Sequence, residues 1–347
     1  MNEQPKRMPP ESNKVNTHKR SYNLNKNLYN DIRTNQINPI VNLEETLPDK
    51  PTIFNLTNWA NKLLLDSGIE SPRLDTEIIL AHSAGLNRVY LHTHPDESLE
   101  DTIVKRFVNN VKRRLRRVPL QYITNHSEFM SLDFYVDERV LIPRPETEFL
   151  IDTVTKIALS SYKENEVFIV DIGVGSGNIA ITLAKKIKNA RIFAIDISPN
   201  AIEVAKFNAQ RHDVMEKITF LCGDTFKPLN GLGLESKINF IVSNPPYISS
   251  DEFHFLQEEV KCFEPYTALV SGKDGLEAFK SIISDANTWL KRNGLIVFEV
   301  AEGQAQKVVK LIKDKRCFKN IDSIKDYQKI DRIVFAQMED IRGQNCN

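Results

Sequence analysis

The chain has 347 residues, with 46 lysine and arginine and 46 aspartate and glutamate side chains, so its formal net charge is zero. Proteins that hold duplex nucleic acid mainly through its phosphates usually carry a basic excess, which this composition lacks. The four cysteines form no C-x-x-C pair and the seven histidines no H-E-x-x-H motif, so we predict no metal site. No apolar run reaches membrane-spanning length, and no secretory signal follows Met1. We therefore expect a soluble, monomeric protein of the cytoplasm, or of mitochondria if the source is eukaryotic.

Residues 1–50 are rich in Asn, Lys, Pro and Ser and lack apolar periodicity, which predicts a disordered tail. A mitochondrial presequence is the alternative interpretation, but the acidic residues in this segment count against it. Over residues 51–118, apolar side chains recur every three or four positions, which predicts a helical N-terminal domain. Its last helix, over 102–118, carries basic residues on one face. We interpret this face as solvated, with contact to an acidic or RNA-bearing partner as the alternative.

The rest of the chain predicts an α/β fold. Residues 119–147 contain short apolar alternations, which are typical of a strand pair that links two domains. From 148 to 338, apolar segments of strand length alternate with helical patterns, and 339–347 form a C-terminal tail. This alternation predicts a doubly wound, mostly parallel seven-stranded sheet covered on both faces by helices. The last two strands have no helix between them and would make one edge antiparallel.

A glycine-rich turn follows the first strand of the predicted sheet. It comprises Asp171, Ile172, Gly173, Val174, Gly175, Ser176 and Gly177. Glycines let the backbone approach a ligand closely and adopt positive φ. A dinucleotide fingerprint, G-x-G-x-x-G, would need a glycine at position 178, where this chain has asparagine. The spacing therefore suits a cofactor that has no pyrophosphate and whose amino-acid tail lies along the turn.

Two further acids stand at the ends of the next two predicted strands. Asp196 lies 23 residues after Gly173, where a carboxylate can accept hydrogen bonds from both hydroxyls of a ribose. Asp224 is placed to meet the edge of an adenine, with Thr225 and Phe226 beside the ring. A single aspartate at a strand end is usually a cap or a turn former. Three acids beside a glycine turn favour S-adenosyl-L-methionine as the cofactor.

The motif Asn244-Pro245-Pro246-Tyr247 follows the fourth predicted strand. The Asn244 side-chain oxygen and the Pro245 carbonyl can accept the two N–H bonds of a planar –NH2 group and aim its nitrogen at a methyl donor. Their dipoles would stabilise positive charge as it develops on that nitrogen, and Tyr247 can lie flat against the planar group. An isolated Asn-Pro-Pro is more often a simple turn. At a strand end that faces the glycine turn, the catalytic interpretation is favoured.

These motifs, together with Val140-Leu-Ile-Pro-Arg-Pro-Glu-Thr-Glu148 and Asp274-Gly-Leu276, resemble the protein-(glutamine-N5) methyltransferases that modify peptide chain release factors. The resemblance covers about residues 54–337 and implies a Rossmann-like class I methyltransferase fold. It implies that the acceptor is the glutamine of the Gly-Gly-Gln loop, whose methylation modulates translation termination. The N-terminal domain would then grip the body of the release factor.

The resemblance also implies roles for individual residues. The donor S-adenosyl-L-methionine would be bound by Asp171, Gly173, Val174, Gly175, Ser176, Gly177, Asp196, Asp224, Thr225 and Asn244. The substrate glutamine would be bound by Asn244, Pro245, Pro246 and Tyr247, with Asn244, Pro245 and Tyr247 catalytic. Arg144 and Glu146 would shape the path of the Gly-Gly-Gln loop into the cleft.

Three departures from the family pattern and two alternative functions remain open, and one departure is Ser271, where relatives often carry glycine. Thr225 stands where relatives often carry a bulky apolar residue, and Glu299 is not followed by the usual Ile-Gly pair. A DNA or RNA amino-methyltransferase is one alternative, because adenine N6 and cytosine N4 present the same planar group. A catalytically idle protein that only binds the donor is the other.

Overall fold

The computed structural model describes residues 43–162 and 165–339. Most of the predicted tail over 1–50 lies outside these ranges, but its last eight residues do not. Leu43–Thr46 form a 3-10 helix, and Leu43, 5% exposed, packs into the core of the helical domain. The indole N–H of Trp59 donates to Thr46 Oγ1 at 3.1 Å. The helical domain therefore begins no later than Leu43, and the predicted boundary at residue 50 is wrong.

Five helices form the N-terminal domain within the described residues. They are α1 Ile53–Asp66, α2 Pro72–Ala84, α3 Arg88–Thr93, α4 Asp101–Leu115 and α5 Leu120–Thr124. Thr52 caps α1, because its side chain accepts a hydrogen bond from the N–H of Asn55. Gly85 ends α2 in the left-handed conformation that glycine adopts most readily. Phe107 is fully buried between these helices, as the apolar periodicity predicts, whereas Phe54, a member of the same periodicity, is 54% exposed.

The basic face of α4 is only partly the solvated surface that we predicted, since its exposed members are Lys105, Arg106, Arg113 and Arg116. Arg114 is 8% exposed, and its guanidinium donates to Asp75 of α2 at 2.7 Å and to Glu259 at 3.1 Å. Arg117 also donates to Glu259, at 3.3 Å. Glu259 lies in the second domain, in a short helix, Glu258–Phe263. Burying a guanidinium is costly unless anions pair with it, so this part of the basic face joins the two domains.

The segment predicted as a strand-pair linker contains one short hairpin. Its strands are β1 Ser127–Phe129 and β2 Leu132–Phe134, which pair in antiparallel fashion. Phe129 and Phe134 are buried in the core of the second domain, so the hairpin belongs to that core. Further along the linker, a 3-10 turn over Pro145–Thr147 leads into α6 Glu148–Ser161.

The main sheet contains seven strands within the described residues. They are β3 Val167–Ile172, β4 Ala190–Asp196, β5 Ile218–Cys222, β6 Ile238–Ser243, β7 Leu290–Glu299, β8 Phe318–Lys325 and β9 Asp331–Met338. Their spatial order is β5-β4-β3-β6-β7-β9-β8. The strands from β5 to β7 are parallel, whereas β9 is antiparallel to both β7 and β8. The predicted doubly wound, mostly parallel seven-stranded sheet with one antiparallel edge is confirmed.

Helices cover both faces of this sheet. They are α6, α7 Asn178–Lys186, α8 Pro199–Arg211, and, later in the chain, α11 Glu277–Trp289 and α12 Ala305–Asp314. Two short helices, α9 Glu258–Phe263 and α10 Tyr266–Leu269, lie between β6 and α11 in the chain. One core joins α6 and α7 to one face of the sheet, and a second core joins α11 and α12 to the other. Such near-continuous apolar strands form only where both faces are buried.

The strand order places a crevice between β3 and β6. After β3 the chain runs to β4 and β5 on one side, then returns through β6 to the other side of β3. Open α/β sheets bind their ligands at such a switch point, beyond the carboxyl ends of the strands. The glycine turn follows β3 and Asn244 follows β6, so the topology brings both predicted motifs to one crevice.

Candidate active site

The glycine turn after β3 lies against the Asn-Pro-Pro-Tyr loop. The N–H groups of Gly173 and Val174 both donate to Ile195 O, at 2.8 and 3.0 Å, which ties the turn to the end of β4. Gly173, Gly175 and Gly177 all have positive φ. A Cβ on Gly173 would lie 3.9 Å from the backbone oxygen of Asn244. The turn and the motif that were predicted to share a site are therefore adjacent.

Asp171 lies beneath the turn and is fully buried. Its Oδ2 accepts the N–H of Ala180 in the first turn of α7, at 3.1 Å, and burial raises the pKa of the carboxyl to about 7. Because it is buried, the side chain holds the turn in place and does not line the cleft.

Only part of the glycine turn reaches the crevice. Gly173 is exposed and Gly175 half-buried, whereas the side chains of Val174 and Ser176 are buried, at 2% and 1% exposure. A Cβ on Gly177 would lie 2.8 Å from the Ile181 side chain, so this glycine packs against α7. A ligand along the turn would therefore meet backbone atoms, chiefly those of Gly173 and Gly175.

Asp196 ends β4 with its carboxylate held toward the glycine turn. Its Oδ2 accepts the N–H of Gly175 at 3.0 Å, and its Oδ1 accepts the N–H of Ser198 at 2.9 Å. Burial raises the pKa of this carboxyl, and the backbone hydrogen bonds oppose the shift. Each oxygen keeps a lone pair for a further donor. The next residue, Ile197, is 65% exposed and offers an apolar surface beside the carboxylate, which the sequence reasoning missed.

The turn after β5 differs from the prediction. Asp224 is exposed and pairs with Lys227 at 2.6 Å, and Thr225 has a positive φ of 46°. Phe226, expected beside an adenine ring, is 3% exposed and stacks on Trp289 inside the core. The expectation for Phe226 is therefore wrong, because the turn directs this ring inward. Asp224 and Thr225 stay at the surface near the end of β5.

Two residues outside the motif hold the Asn-Pro-Pro-Tyr loop. Gln304 donates through Nε2 to the backbone oxygen of Tyr247 at 2.7 Å. Gly275 has a φ of 71°, and a Cβ at this position would lie 2.3 Å from the same oxygen. Only glycine allows this close approach, which explains the glycine of Asp274-Gly-Leu276. Burial, together with the nearby Glu299 carboxylate, raises the pKa of Tyr247 to about 12, so its phenol stays neutral.

Asn244 is oriented by a chain of two side chains. Its Nδ2 donates to Thr147 Oγ1 at 3.3 Å, and Thr147 Oγ1 donates to Glu299 Oε2 at 2.6 Å. Thr147 is the N-cap residue of α6, but its side chain makes no capping hydrogen bond to that helix. Glu299 was a doubtful member of the site, and it is placed here because β7 lies next to β6 in the sheet. Within the described residues, Asn244 Oδ1 and Pro245 O accept no hydrogen bond, so both are available to a ligand.

The motif opens into a cavity of about 800 Å³ that is lined by both Asn244 and Tyr247. Arg144 also lines this cavity, and its guanidinium is bound to both oxygens of Glu264 at 2.8 Å. Glu264 is 2% exposed, so the pair fixes the cavity wall. Glu146 is half-buried, and its charge acts on Glu299 and Tyr247. Of the two residues predicted to shape the cleft, Arg144 therefore lines it, whereas Glu146 acts on its neighbours through its charge.

Two family models match this chain. One described as the PrmC N-terminal domain matches residues 55–124, and one described as a methyltransferase domain matches residues 163–335. Release factor glutamine methyltransferases of Clostridium acetobutylicum, Moorella thermoacetica and Chlorobaculum tepidum are 36%, 38% and 38% identical to it. The alignments cover 80%, 82% and 81% of this chain and 95%, 98% and 95% of those relatives. This chain belongs to the release factor glutamine methyltransferase family.

Family membership confirms the resemblance that the motifs predicted and the methyltransferase class of the α/β domain. The matched N-terminal model coincides with α1 to α5 of the helical domain. In the described ranges, no cluster of His, Cys, Asp and Glu side chains is suited to a metal ion. None of the helices in those ranges has the length and apolar character needed to span a bilayer.

Proposed function

We propose that this methyltransferase transfers a methyl group from S-adenosyl-L-methionine to the side-chain amide nitrogen of a glutamine in the Gly-Gly-Gln motif of a peptide chain release factor. Two observations support this proposal. The chain belongs to the release factor glutamine methyltransferase family over four fifths of its length. The observation that carries the chemistry is that two oxygens, Asn244 Oδ1 and Pro245 O, accept no hydrogen bond within the described residues. They belong to the loop whose Asn244 backbone oxygen would lie 3.9 Å from a Cβ on Gly173.

The crevice beyond β3 and β4 suits this donor. Gly173 presents backbone without a side chain, which leaves room for an amino-acid tail. The half-buried Asp196 carboxylate can accept ribose hydroxyls, and the exposed Ile197 can pack against a flat base. S-adenosylmethionine supplies, when bound, a methyl group on a sulfonium sulfur that needs no acid catalyst to leave. The protein then has to position the acceptor and stabilise its charge.

The Asn-Pro-Pro-Tyr loop performs this positioning. A glutamine amide can donate its two N–H bonds to Asn244 Oδ1 and Pro245 O, which fixes the plane of the group. Because the backbone of Asn244 lies beside Gly173, we infer that the nitrogen then faces the donor side of the crevice. Such orientation can contribute roughly 7–11 kcal/mol in favourable cases. As nitrogen gains positive character, the two fixed carbonyl dipoles stabilise it, and the proton becomes acidic enough to leave without a strong base.

The first test is mass spectrometry of the Gly-Gly-Gln peptide from a release factor incubated with the protein and S-adenosylmethionine. We expect a gain of one methyl on the glutamine. Asn244→Ala should abolish this gain but bind the donor nearly as the wild type does, since the donor lies on the glycine turn. Near wild-type turnover by Asn244→Ala would refute the amide clamp, by which we mean the binding of the substrate amide between Asn244 Oδ1 and Pro245 O. Methylation of DNA or RNA instead of the peptide would refute the release factor as substrate.

A further inference from the structure

Three side chains from distant parts of the chain form one hydrogen-bonded row. Glu299 ends β7, Thr147 ends the 3-10 turn before α6, and Asn244 follows β6. The Thr147 hydroxyl lies 2.6 Å from Glu299 Oε2 and 3.3 Å from Asn244 Nδ2. Thr147 is 1% exposed and Glu299 2% exposed, so water cannot readily replace either contact. The row ends on the side chain that we propose as the amide clamp.

The ionised carboxylate determines the direction of every hydrogen bond in this row. A carboxylate can only accept, so the Thr147 hydroxyl must donate its single proton to Glu299. Its oxygen is then left to accept, and only the –NH2 side of the Asn244 amide can donate to it. Asn244 Oδ1 must consequently be the atom that is free. The distance of 2.6 Å is typical of a hydroxyl bound to an ionised carboxylate.

Protonation of Glu299 would remove this constraint. A carboxylic acid can donate to Thr147 Oγ1, and the threonine hydroxyl could then donate to Asn244 Oδ1. The amide would turn over and present –NH2, which cannot accept the N–H bonds of a glutamine. The orientation of the Asn244 amide therefore depends on whether the buried Glu299 carboxyl carries a proton.

The groups around Glu299 bring the pKa of its carboxyl close to neutral pH. Burial raises the pKa of Glu299 to about 7, the hydrogen bond from Thr147 opposes the shift, and the charge of Glu146 adds to it. Arg332 on β9 and Arg144 on the linker both favour the ionised form. Tyr247, the other titratable group that faces Glu299, has its own pKa raised to about 12 and therefore stays neutral.

We propose that Thr147 and Glu299 are positioning residues that hold the Asn244 amide with Oδ1 toward the substrate, and that ionised Glu299 selects this orientation. This inference rests on the proposed function, because it assigns the row to the amide clamp. Neither residue needs to touch the glutamine. Both act through Asn244.

Variants of Thr147 separate positioning from packing. Thr147→Val keeps the shape and removes the hydroxyl, whereas Thr147→Ser keeps the hydroxyl and removes only a methyl group. We expect Thr147→Val to lower kcat by about 10- to 100-fold with unchanged donor affinity, since misplacement of a reacting group can cost about 100-fold. Thr147→Ser should restore most of the loss. Wild-type kcat in Thr147→Val, or equal losses in both variants, would overturn the proposal.

The pH profile tests the role of the carboxylate. Wild-type kcat should fall below pH about 7 as Glu299 gains its proton. Glu299→Gln keeps an oxygen that can accept from Thr147 but cannot ionise in this range. Its –NH2 can also donate to Thr147 Oγ1, so the side chain no longer selects one orientation of Asn244. The rate should therefore be lower than that of the wild type at pH 8 and nearly constant from pH 6 to 8. An unchanged fall toward acid pH in Glu299→Gln would overturn the role of Glu299.

A measurement without any acceptor distinguishes this inference from the proposed function. If the wild type methylates no release factor, the proposed function fails, but the row can still be observed by NMR of protein labelled with ¹⁵N-asparagine. The side-chain signal of Asn244, assigned by its absence from Asn244→Ala, should titrate with a midpoint near pH 7. The titration should vanish in Glu299→Gln and Thr147→Val. A signal that does not titrate in the wild type would overturn the inference.

Discussion

A methyl group added at Gly275 should displace the Asn-Pro-Pro-Tyr loop. In Gly275→Ala the new Cβ would lie 2.3 Å from the backbone oxygen of Tyr247 and 2.9 Å from Nε2 of Gln304. An ordinary van der Waals contact begins at 3.4 Å, so the Tyr247 carbonyl has to retreat by about 1 Å. Gln304 donates to the same carbonyl and is pushed by the same atom. The loop that carries Asn244 therefore has to move.

Two effects of Gly275→Ala can be separated by magnitude. Alanine at a φ of 71° costs about 1–2 kcal/mol of stability, whatever the space around it. A displacement of about 1 Å at a reacting group can cost about 100-fold in rate. Gly231 provides the matched control, because its φ is 81° and a Cβ there would meet nothing within 4 Å. Gly231→Ala should lose similar stability and keep its activity.

The assay compares kcat and KM for a release factor, donor affinity and urea unfolding for both variants. We expect kcat of Gly275→Ala to fall by about 100-fold while donor affinity changes little, because the glycine turn is not displaced. Equal activity in Gly275→Ala and Gly231→Ala would refute the claim that the Tyr247 carbonyl needs the space above Gly275. Loss of donor binding in Gly275→Ala would show that the displacement spreads to the glycine turn.

Three further predictions concern stability, each measured by urea unfolding. Arg114→Met leaves the buried Asp75 unpaired and should cost about 3–5 kcal/mol. Arg191→Met, which breaks an exposed pair, should cost less than about 1 kcal/mol, and equal losses would contradict the burial of the pair between Arg114 and Asp75. The folded protein holds the Glu299 proton more tightly than the unfolded chain, so this group lowers the free energy of unfolding as pH rises from 4.5 to about 7. As pH rises from 5 to 8, the free energy of unfolding of Glu299→Gln should therefore increase relative to that of the wild type by up to about 3 kcal/mol. A difference that does not change with pH would contradict the raised pKa of Glu299. Leu43→Ala should cost about 2 kcal/mol, whereas no loss would place the start of the helical domain after this residue.

Two buried carboxyl groups of this site, Asp171 and Glu299, lower the stability of the folded protein at neutral pH. Burial raises the pKa of each to about 7, so their ionised forms oppose folding at neutral pH. Both nevertheless lie where a charge or a strong acceptor orders a functional loop. Asp171 holds the glycine turn through α7, and Glu299 holds Asn244 through Thr147. Strained or costly groups of this kind are expected at functional sites.

The sequence by itself determined the order of strands and helices and the two motifs of the crevice. Apolar periodicity and turn residues are local signals, so they predicted the parallel sheet and its antiparallel edge. Asn244 to Tyr247 and Gly173 to Gly177 were recognised for the same reason, since each is a short contiguous string. Their adjacency also followed, because parallel strands must end at the same edge of a sheet.

Only the tertiary structure decided which side chains support these motifs. Thr147 lies 97 residues from Asn244 and 152 from Glu299, and Arg114 lies 145 from Glu259. No local pattern encodes such distances, because they depend on how neighbouring strands and domains pack. For the same reason Phe226 was placed beside the cofactor although packing turns it into the core, and Leu43 was placed in a tail although it is buried. Short contiguous motifs in the sequence identify the crevice, whereas contacts between residues far apart in the chain determine how its side chains are held in place.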